Sequence, residues 1–342
     1  MKRLPTIVLT LLGLALAGVL ALTAVLVFAP SIVVKGIQAT TYQGAEINPT
    51  QAAAETTSHT LDNGIEYVND IRYTDTFAKG FLDIRYALGA DGQTPTIVYF
   101  HGGGFFAGDK AIGDPLAVND DANYLLEQFV LQGYNLVAVN YALTPASYFP
   151  GPVLQMNEAI NYLITHADEL NISMDQVRLF GSSAGAIMVS QYITAISNPT
   201  YADLFEFTQE PLLTPDQVHS AIIDDAPIVP ENMNIATRVL IGNYLQTSIF
   251  LPESDNTRRY NPIPYLTQDT PKSITLAGTN DGFPADMRAF AEALNQAGGE
   301  ATYFHTDEET YGLTMHGYMG NLKYDTSGAS QAAFDRVIEF IR

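Results

Sequence analysis

The chain has 342 residues, 47% of them hydrophobic, which is enough for one large core with insertions or for two domains. Its 16 basic and 37 acidic residues give a net charge of -21, which disfavours anionic partners such as nucleic acids and anionic membrane surfaces. The absence of cysteine excludes disulfides and thiolate metal sites. A small neutral or cationic substrate fits this composition better than a nucleic acid.

The first thirty residues contain a long apolar segment. Lys2 and Arg3 precede a stretch from Thr6 to Ala29 that carries no charge. About 20 such residues in a helix span the ~30 Å hydrocarbon core of a bilayer, and the two basic residues predict a cytoplasmic N-terminus with the body exported. We expect a membrane anchor over residues 1–30. The alternatives are a cleaved secretory signal, whose apolar region is normally about 7–15 residues long, and a buried core helix.

Residues 31–64 are predicted as a linker followed by the start of the main domain. From about Ser31 to Ala54 the sequence mixes Gly, Pro, Thr, Gln and Ala without a sustained period, as expected of a chain that leaves a membrane. The main domain itself is expected over residues 65–342.

From Ile65 onward, short apolar runs alternate with segments of helical spacing. Apolar stripes predict helices around residues 125–130, 153–163 and 334–341. This alternation predicts an α/β fold with a mostly parallel central sheet and helices on both faces. The runs have the length of strands covered on both faces; they are TIVYF (96–100), NLVAVNY (135–141), VRLFG (177–181), HSAIID (219–224) and SITLAG (273–278).

Two stretches interrupt this alternation, residues 198–217 and residues from about 229 to 265. The second contains IATRVLIGNYLQTSIFL (235–251), which has a helical pattern with one apolar side. An insertion at the carboxyl edge of the sheet would cover whatever lies there, so we predict a small helical cap over 229–265. The alternative is an ordinary surface excursion.

The predicted strand that ends at Phe100 leads directly into HGGGFFAGDK (101–110). Three consecutive glycines allow backbone torsions and a close approach to a ligand that a Cβ atom would prevent. A histidine followed by three glycines after a strand is typical of a loop that donates N–H groups to an oxyanion. A flexible glycine turn is the alternative interpretation.

The predicted strand VRLFG leads into GSSAG (181–185), a Gly-X-Ser-X-Gly pattern between a strand and a helix. A sharp turn there forces the middle residue into a strained conformation and exposes its side chain, and small neighbours let the turn close. The middle residue is Ser183, so Ser183 rather than Ser182 is the predicted nucleophile. The helix begins at about Ala184, and its positive end faces the oxygen that gains charge.

A serine hydroxyl is a weak nucleophile, so a base and an orienting acid are required. Downstream of Ser183, His219 and His305 lie at the ends of predicted strands. His316 lies in the glycine-flanked loop GLTMHGYMG and is the predicted base. Asp281, in the turn after the strand SITLAG, is the predicted acid. The other carboxylates considered are Asp269, Asp307 and, as a backup acid, the pair Asp224-Asp225.

Together these motifs resemble those of the α/β-hydrolase superfamily, and within it the esterase and lipase group that includes the hormone-sensitive-lipase-like carboxylesterases. The resemblance covers about Ile65 to Arg342. It includes the segment NYALTPASYFPGPVLQMNEAINYL (140–163), with its Tyr-x-Leu-x-Pro motif. It departs from the common pattern at Ser182, where an acidic residue is frequent, and at residues 142–146, where the usual Arg and Glu are missing.

The resemblance implies the α/β-hydrolase fold and a serine hydrolase. Backbone N–H groups of Gly103, Gly104 and Ala184 would form the oxyanion hole, and His101 would support the loop without acting as a catalyst. In the implied mechanism His316 takes the proton of the serine, an acyl-enzyme forms, and water releases the acyl group.

Phe105, Phe106 and the 229–265 insertion are predicted to form the acyl pocket, which suggests short to medium acyl esters as substrates. We expect no metal and no organic cofactor, and the sequence does not determine the oligomeric state. Two kinds of alternative stay open. One is an inactive, membrane-tethered hydrolase-fold binding protein, and the other is a lipase, peptidase or transacylase with the same triad.

Overall fold

The computed structural model describes residues 3–52, 55–117, 121–280 and 283–342, with side chains from Leu14 onward. Within this part of the chain nine strands form one sheet in the order β1-β2-β3-β5-β4-β6-β7-β8-β9. Neighbours from β1 to β3 and on to β5 are antiparallel, and neighbours from β5 through β4 to β9 are parallel. The strands are β1 (Ser58–Thr60), β2 (Glu66–Arg72), β3 (Phe81–Tyr86), β4 (Pro95–Phe100), β5 (Asn135–Val139), β6 (Ser173–Ser182), β7 (Val218–Asp224), β8 (Ser273–Ala277) and β9 (Ala301–His305).

The five apolar runs singled out in the sequence correspond to β4 through β8, so the predicted α/β fold with a mostly parallel sheet is confirmed. The parallel strands are buried on both faces. Ile97 and Tyr99 of β4 pack on one side of the sheet, and Val98 and Phe100 on the other.

Helices cover both faces of the sheet. The core on one face includes apolar side chains of α3 and α11, and the core on the other includes those of α4, α5 and α9. The helices are α1 (Arg3–Phe28), α2 (Pro30–Tyr42), α3 (Ala122–Leu131), α4 (Gly151–Thr165), α5 (Ala184–Ser197), α6 (Pro199–Ala202), α7 (Ile235–Tyr244), α8 (Asp255–Tyr260), α9 (Pro284–Gln296), α10 (Glu308–Tyr311) and α11 (Ala329–Ile341).

The N-terminal apolar segment is helical, and it bends sharply into α2. In the described part of the chain, no single helix is long and apolar enough to cross a membrane. The pair Leu14–Phe28 and Pro30–Tyr42 meets that test when the two are taken together, with a bend of 92° between them.

Helix α2 packs on the body of the protein, where the sequence pattern predicts a linker from Ser31. Val34 is buried against Phe106 and Val239. The side-chain amide of Gln38, which is 3% exposed, donates to the backbone carbonyls of Phe106 (2.8 Å) and Thr144 (2.6 Å). Because only one narrow face of α2 is buried, the segment has the mixed composition of a linker although it is a packed helix.

Candidate active site

Ser183 lies at the turn between β6 and α5. Its φ of 51° is in the left-handed region, which is strained for a residue with a side chain. The flanking glycines are required by the tightness of this turn. A Cβ atom on Gly181 would lie 2.3 Å from the carbonyl oxygen of Gly185, and one on Gly185 would lie 2.0 Å from the carbonyl oxygen of Phe100. This geometry is the nucleophile elbow expected from the sequence motif.

His316 is brought next to Ser183 by the loop between β9 and α11. Its Nε2 atom lies 3.0 Å from the Oγ atom of Ser183, which is hydrogen-bond distance. The His316 side chain is 19% exposed, so it can be reached from outside. Ser182 is instead the last residue of β6 and pairs with Asp224 in the sheet. The predicted base and the predicted nucleophile therefore meet, 133 residues apart in the chain.

Two buried carboxylates lie close to the His316 ring. The Oδ2 atom of Asp225 is 3.7 Å from Nδ1 of His316, and it accepts a hydrogen bond of 2.7 Å from the backbone N–H of Gly317. The Oδ2 atom of Asp114 is 3.6 Å from Nε2. Asp225 belongs to the pair that the sequence offers as a backup acid, whereas no local sequence pattern singles out Asp114. Asp281, the predicted acid, lies outside the described residues.

The glycine loop after β4 lies beside Ser183. Gly103 and Gly104 both have positive φ, 104° and 58°. Gly104 and Ala184 line the cavity at Ser183, as expected of oxyanion-hole residues. Gly103 packs more tightly, since a Cβ atom there would lie 2.2 Å from the carbonyl oxygen of Ala107. The loop therefore has a defined backbone conformation that glycine alone fits without strain.

His101 is buried under this loop, and its contacts are structural. Its ring stacks on Tyr141 with centroids 4.3 Å apart, and its Nδ1–H donates to the carbonyl of Gly102 at 2.7 Å. The Tyr141 hydroxyl donates to the His101 carbonyl at 2.7 Å. Burial, with the nearby charge of Lys79, lowers the pKa of His101 to about 4, so the ring is neutral at pH 7. These contacts fit the supporting role that the resemblance implied.

Buried ion pairs hold the other end of the glycine loop. Lys79 donates to the carbonyl of Gly108 at 2.8 Å and lies 3.4 Å from Asp109. Burial raises the pKa of Asp109, but the charges of Lys79 and Lys110 and an amide hydrogen bond outweigh it, and the pKa falls to about 2. Lys110 in turn lies 2.8 Å from the fully buried Asp83. Gly108, Asp109 and Lys110 thus tie the end of the glycine loop to the antiparallel part of the sheet.

A cavity of about 170 Å³ opens at Ser183 and His316. The insertion predicted as a cap contributes α7, and its side chains form one wall. Further lining residues are Leu116, Ile187 and Pro227, together with Asn234, Thr237, Leu240 and Ile241 of the insertion. The cavity is mostly apolar, as is usual for the site of a small organic ligand.

Phe105 and Phe106, which the sequence predicts in the acyl pocket, are not among the described residues that line this cavity. Phe105 is fully buried and stacks on Tyr244 with ring centroids 3.6 Å apart. Phe106 is buried in the cluster with α2 and contacts Val239. The backbone at Gly104 and Phe105 has positive φ angles of 58° and 63°.

The remaining histidines downstream of the nucleophile lie apart from this cavity. His219 is in β7, where its Nδ1 lies 3.1 Å from the Ser220 hydroxyl, and His305 ends β9 and stacks on Tyr303. Within the described residues, no group of three or more His, Asp or Glu side chains could hold a metal ion. The chemistry available at the cavity is that of a serine, an imidazole and carboxylates.

Residues 82–288, more than half of the chain, match the BD-FAE family. The chain belongs to the BD-FAE family. Among solved structures, this BD-FAE chain is similar to esterase B from Lactobacillus rhamnosis inhibited with a tributyrin phosphonate. The TM-score is 0.68 at 16% identity, over 92% of this chain and 95% of the other. A truncated carbohydrate esterase from gut microbiota gives a TM-score of 0.61 at 17% identity, over 85% and 99% of the two chains. At these identities the likeness shows the α/β-hydrolase fold.

Curated relatives of this BD-FAE chain are esterases. Esterase LipQ of Mycobacterium tuberculosis is 22% identical over 241 residues, which cover 67% of this chain and 53% of LipQ. The acetyl esterase of Salmonella typhi is 29% identical over 93 residues, 27% of this chain and 26% of that enzyme. The chain thus spans about half the length of the mycobacterial relative and about a quarter of the acetyl esterase.

Proposed function

We propose that this protein hydrolyses carboxylic esters through an acyl-enzyme on Ser183. The observation that carries the proposal is the 3.0 Å distance between Ser183 Oγ and His316 Nε2 at a strained turn that opens into a cavity. His316 accepts the proton of Ser183 as its oxygen attacks the ester carbonyl, and it then passes that proton to the leaving alcohol. A water molecule attacks the acyl-enzyme and releases the acid.

We assign the oxyanion hole to the backbone N–H groups of Gly104 and Ala184. The N–H group of Gly103, the third donor that the sequence predicts, is instead hydrogen-bonded to the carboxylate of Asp114. The N-terminus of α5 supports this role, because its unpaired N–H groups and positive dipole end favour a developing negative charge. The loss of one such donor costs about 2.7–4 kcal/mol of transition-state stabilisation in a comparable enzyme.

Asp281 is the acid that we propose to orient His316, because it follows the strand after which the superfamily places this residue. Asp225 is the second candidate, since its carboxylate lies 3.7 Å from Nδ1 of His316. Separate Asp281→Asn and Asp225→Asn variants decide between them. The variant that loses the orienting acid should lose about 10⁴-fold in kcat, as when the triad aspartate of a serine protease is changed to asparagine. The other variant should keep a larger share of the activity.

Short to medium acyl chains are the proposed substrates. The cavity of about 170 Å³ is smaller than the ~300–1,000 Å³ of pockets that enclose drug-sized ligands. Its lining by Leu240, Ile241 and Ile187 suits an alkyl chain. The names of two similar proteins agree with this size, since one is an acetyl esterase and the other was inhibited with a tributyrin phosphonate. We propose that α7 acts as the cap that limits acyl length.

The experiment is hydrolysis of p-nitrophenyl esters from acetate to decanoate by the full chain, with Ser183→Ala and Ser182→Ala as a matched pair. We expect the highest kcat/KM on acetate or butyrate, complete loss of activity in Ser183→Ala, and most of the activity in Ser182→Ala. Loss of activity in a folded Ser182→Ala variant would overturn the assignment. A wild-type protein that hydrolyses none of these esters would favour the inactive binding scaffold.

We further propose that the N-terminal segment holds the catalytic domain on the outer side of a membrane. The support is the uncharged stretch of α1, whose side chains Leu16, Leu20 and Leu22 are all exposed in the folded chain. Fractionation of expressing cells, with N-terminal sequencing of the product, tests this. Membrane-bound protein with an intact N-terminus agrees with an anchor, and soluble protein that begins near Ser31 indicates a cleaved signal.

A further inference from the structure

One buried carboxylate near the catalytic base has no part in the proposed mechanism. Asp114 follows the glycine loop and is 2% exposed. Its Oδ2 atom lies 3.6 Å from Nε2 of His316, the same ring nitrogen that is 3.0 Å from Ser183 Oγ. An orienting acid in a serine hydrolase acts on the other ring nitrogen, Nδ1. The position of Asp114 is therefore different from that of a triad acid.

The Asp114 carboxylate is held in place by its own segment and by the glycine loop. The backbone N–H of Leu116 donates to its Oδ1 atom at 2.7 Å. Gly102 packs directly against it, since a Cβ atom there would lie 2.1 Å from Oδ2. On the opposite side, a Cβ atom on Gly317 would lie 2.5 Å from the Cβ of Ala117. The short segment from Asp114 to Ala117 is thus wedged between the glycine loop and the loop of the base.

Asp114 is charged at neutral pH. Burial raises the pKa of its carboxyl group, but His316 and the backbone N–H groups of Leu116 and Gly103 outweigh that effect, and the pKa lies below its usual value. Among the described residues, Tyr141 and the neutral ring of His101 are further titratable groups that sense its charge. An anion is therefore fixed beside the nitrogen that must carry a proton during the reaction.

We propose that Asp114 is a positioning residue that ties the base to the oxyanion loop and stabilises the His316 imidazolium. The inference rests on the proposed function. When Nε2 takes the proton of Ser183, the new N–H⁺ lies beside the Asp114 carboxylate, which lowers the energy of the charged ring. The same carboxylate accepts hydrogen bonds from the amides of Leu116 and Gly103, which holds the His316 ring in a fixed position relative to the glycine loop. The proton itself still goes to the leaving alcohol.

The test is the pH profile of p-nitrophenyl butyrate hydrolysis by Asp114→Asn in the full chain. Asparagine keeps the shape and an oxygen for the Leu116 amide but removes the charge. In the described chain, Asp114 and Asp225 are the charged side chains within 4 Å of His316. With one carboxylate lost, the pKa of the base falls, so the acid limb of kcat/KM should move to lower pH by about one unit. We also expect kcat to fall about tenfold while KM changes less than about twofold.

Asp286→Asn is the matched control. Asp286 is also a buried carboxylate, 1% exposed, and it accepts hydrogen bonds from the Val229 amide and the Asn232 side chain. A merely structural effect of removing a buried charge would appear in both variants as lower stability, whereas the shift of the acid limb should appear only in Asp114→Asn. Circular dichroism and thermal unfolding establish that each variant is folded.

The outcomes separate this inference from the proposed function. An active wild-type enzyme with an unshifted acid limb and nearly unchanged kcat in Asp114→Asn overturns the role of Asp114 alone. If Asp114→Asn does not fold, Asp114→Ser, which keeps a smaller hydrogen-bond acceptor, takes its place with the same expected shift. Failure of both variants to fold would make Asp114 a structural brace and overturn the inference. A wild-type chain without esterase activity overturns both proposals together.

Discussion

The contact between α2 and the oxyanion loop predicts that Gln38 contributes strongly to stability. Its side-chain amide donates to the carbonyls of Phe106 and Thr144, at 2.8 and 2.6 Å, in a site that is 3% exposed. The Gln38→Met variant keeps the volume and removes both donors. At about 1–2 kcal/mol for each buried carbonyl left without a donor, the free energy of unfolding should fall by about 2–4 kcal/mol.

Urea unfolding of the full chain, followed by circular dichroism, measures this change, with ester hydrolysis recorded on the same samples. Thr41→Ala is the control, because the Thr41 hydroxyl is exposed and bonds only to the Ile37 carbonyl of its own helix. Its unfolding free energy should change by less than about 0.5 kcal/mol. We expect Gln38→Met to lose activity as well, since Phe106 lies in the same loop as Gly103 and Gly104. If Gln38→Met and Thr41→Ala are equally stable, α2 is not an integral part of the catalytic domain.

Two further predictions concern the turn at the nucleophile and the cavity. Gly185→Ala should abolish activity and destabilise the fold, because the new Cβ would lie 2.0 Å from the carbonyl oxygen of Phe100. The control is Gly36→Ala in α2, where the new Cβ has no atom within 4 Å. This variant should be as stable as the wild type or more stable by up to about 1 kcal/mol. Thermal unfolding and ester hydrolysis check both, and an active Gly185→Ala enzyme would contradict the described turn. Leu240→Ala should widen the cavity and move the preferred acyl chain by about two carbons toward longer esters. An unchanged chain-length profile would show that α7 does not limit acyl length.

The parallel half of the sheet could be predicted from the sequence because its strands are buried on both faces. Runs such as TIVYF and SITLAG contain no charged residue and are mostly apolar. The antiparallel strands β1 to β3 gave no such signal. Asp83 and Arg85 of β3 are buried, but they interrupt its apolar pattern because they belong to ion-pair and hydrogen-bond networks with distant residues.

The site could be predicted in part for a similar reason. Ser183 and His316 each lie in a short, contiguous motif flanked by glycines, so each can be recognised from its neighbours in the sequence. Asp114 stands in an unremarkable loop, and its role depends on a contact with a residue 202 positions later, which no local pattern contains. The burial of Phe105 also depends on a distant partner, Tyr244 of α7.

The catalytic pair of Ser183 and His316 is tested most directly by reaction of the full chain with a fluorophosphonate probe, followed by mass spectrometry of the digested protein. Only a serine activated by a base reacts efficiently with this probe. We expect one adduct, on Ser183, and a greatly slowed reaction in His316→Ala. An adduct on Ser182, or equal labelling of the wild type and His316→Ala, would contradict the claim that Ser183 and His316 form the catalytic pair.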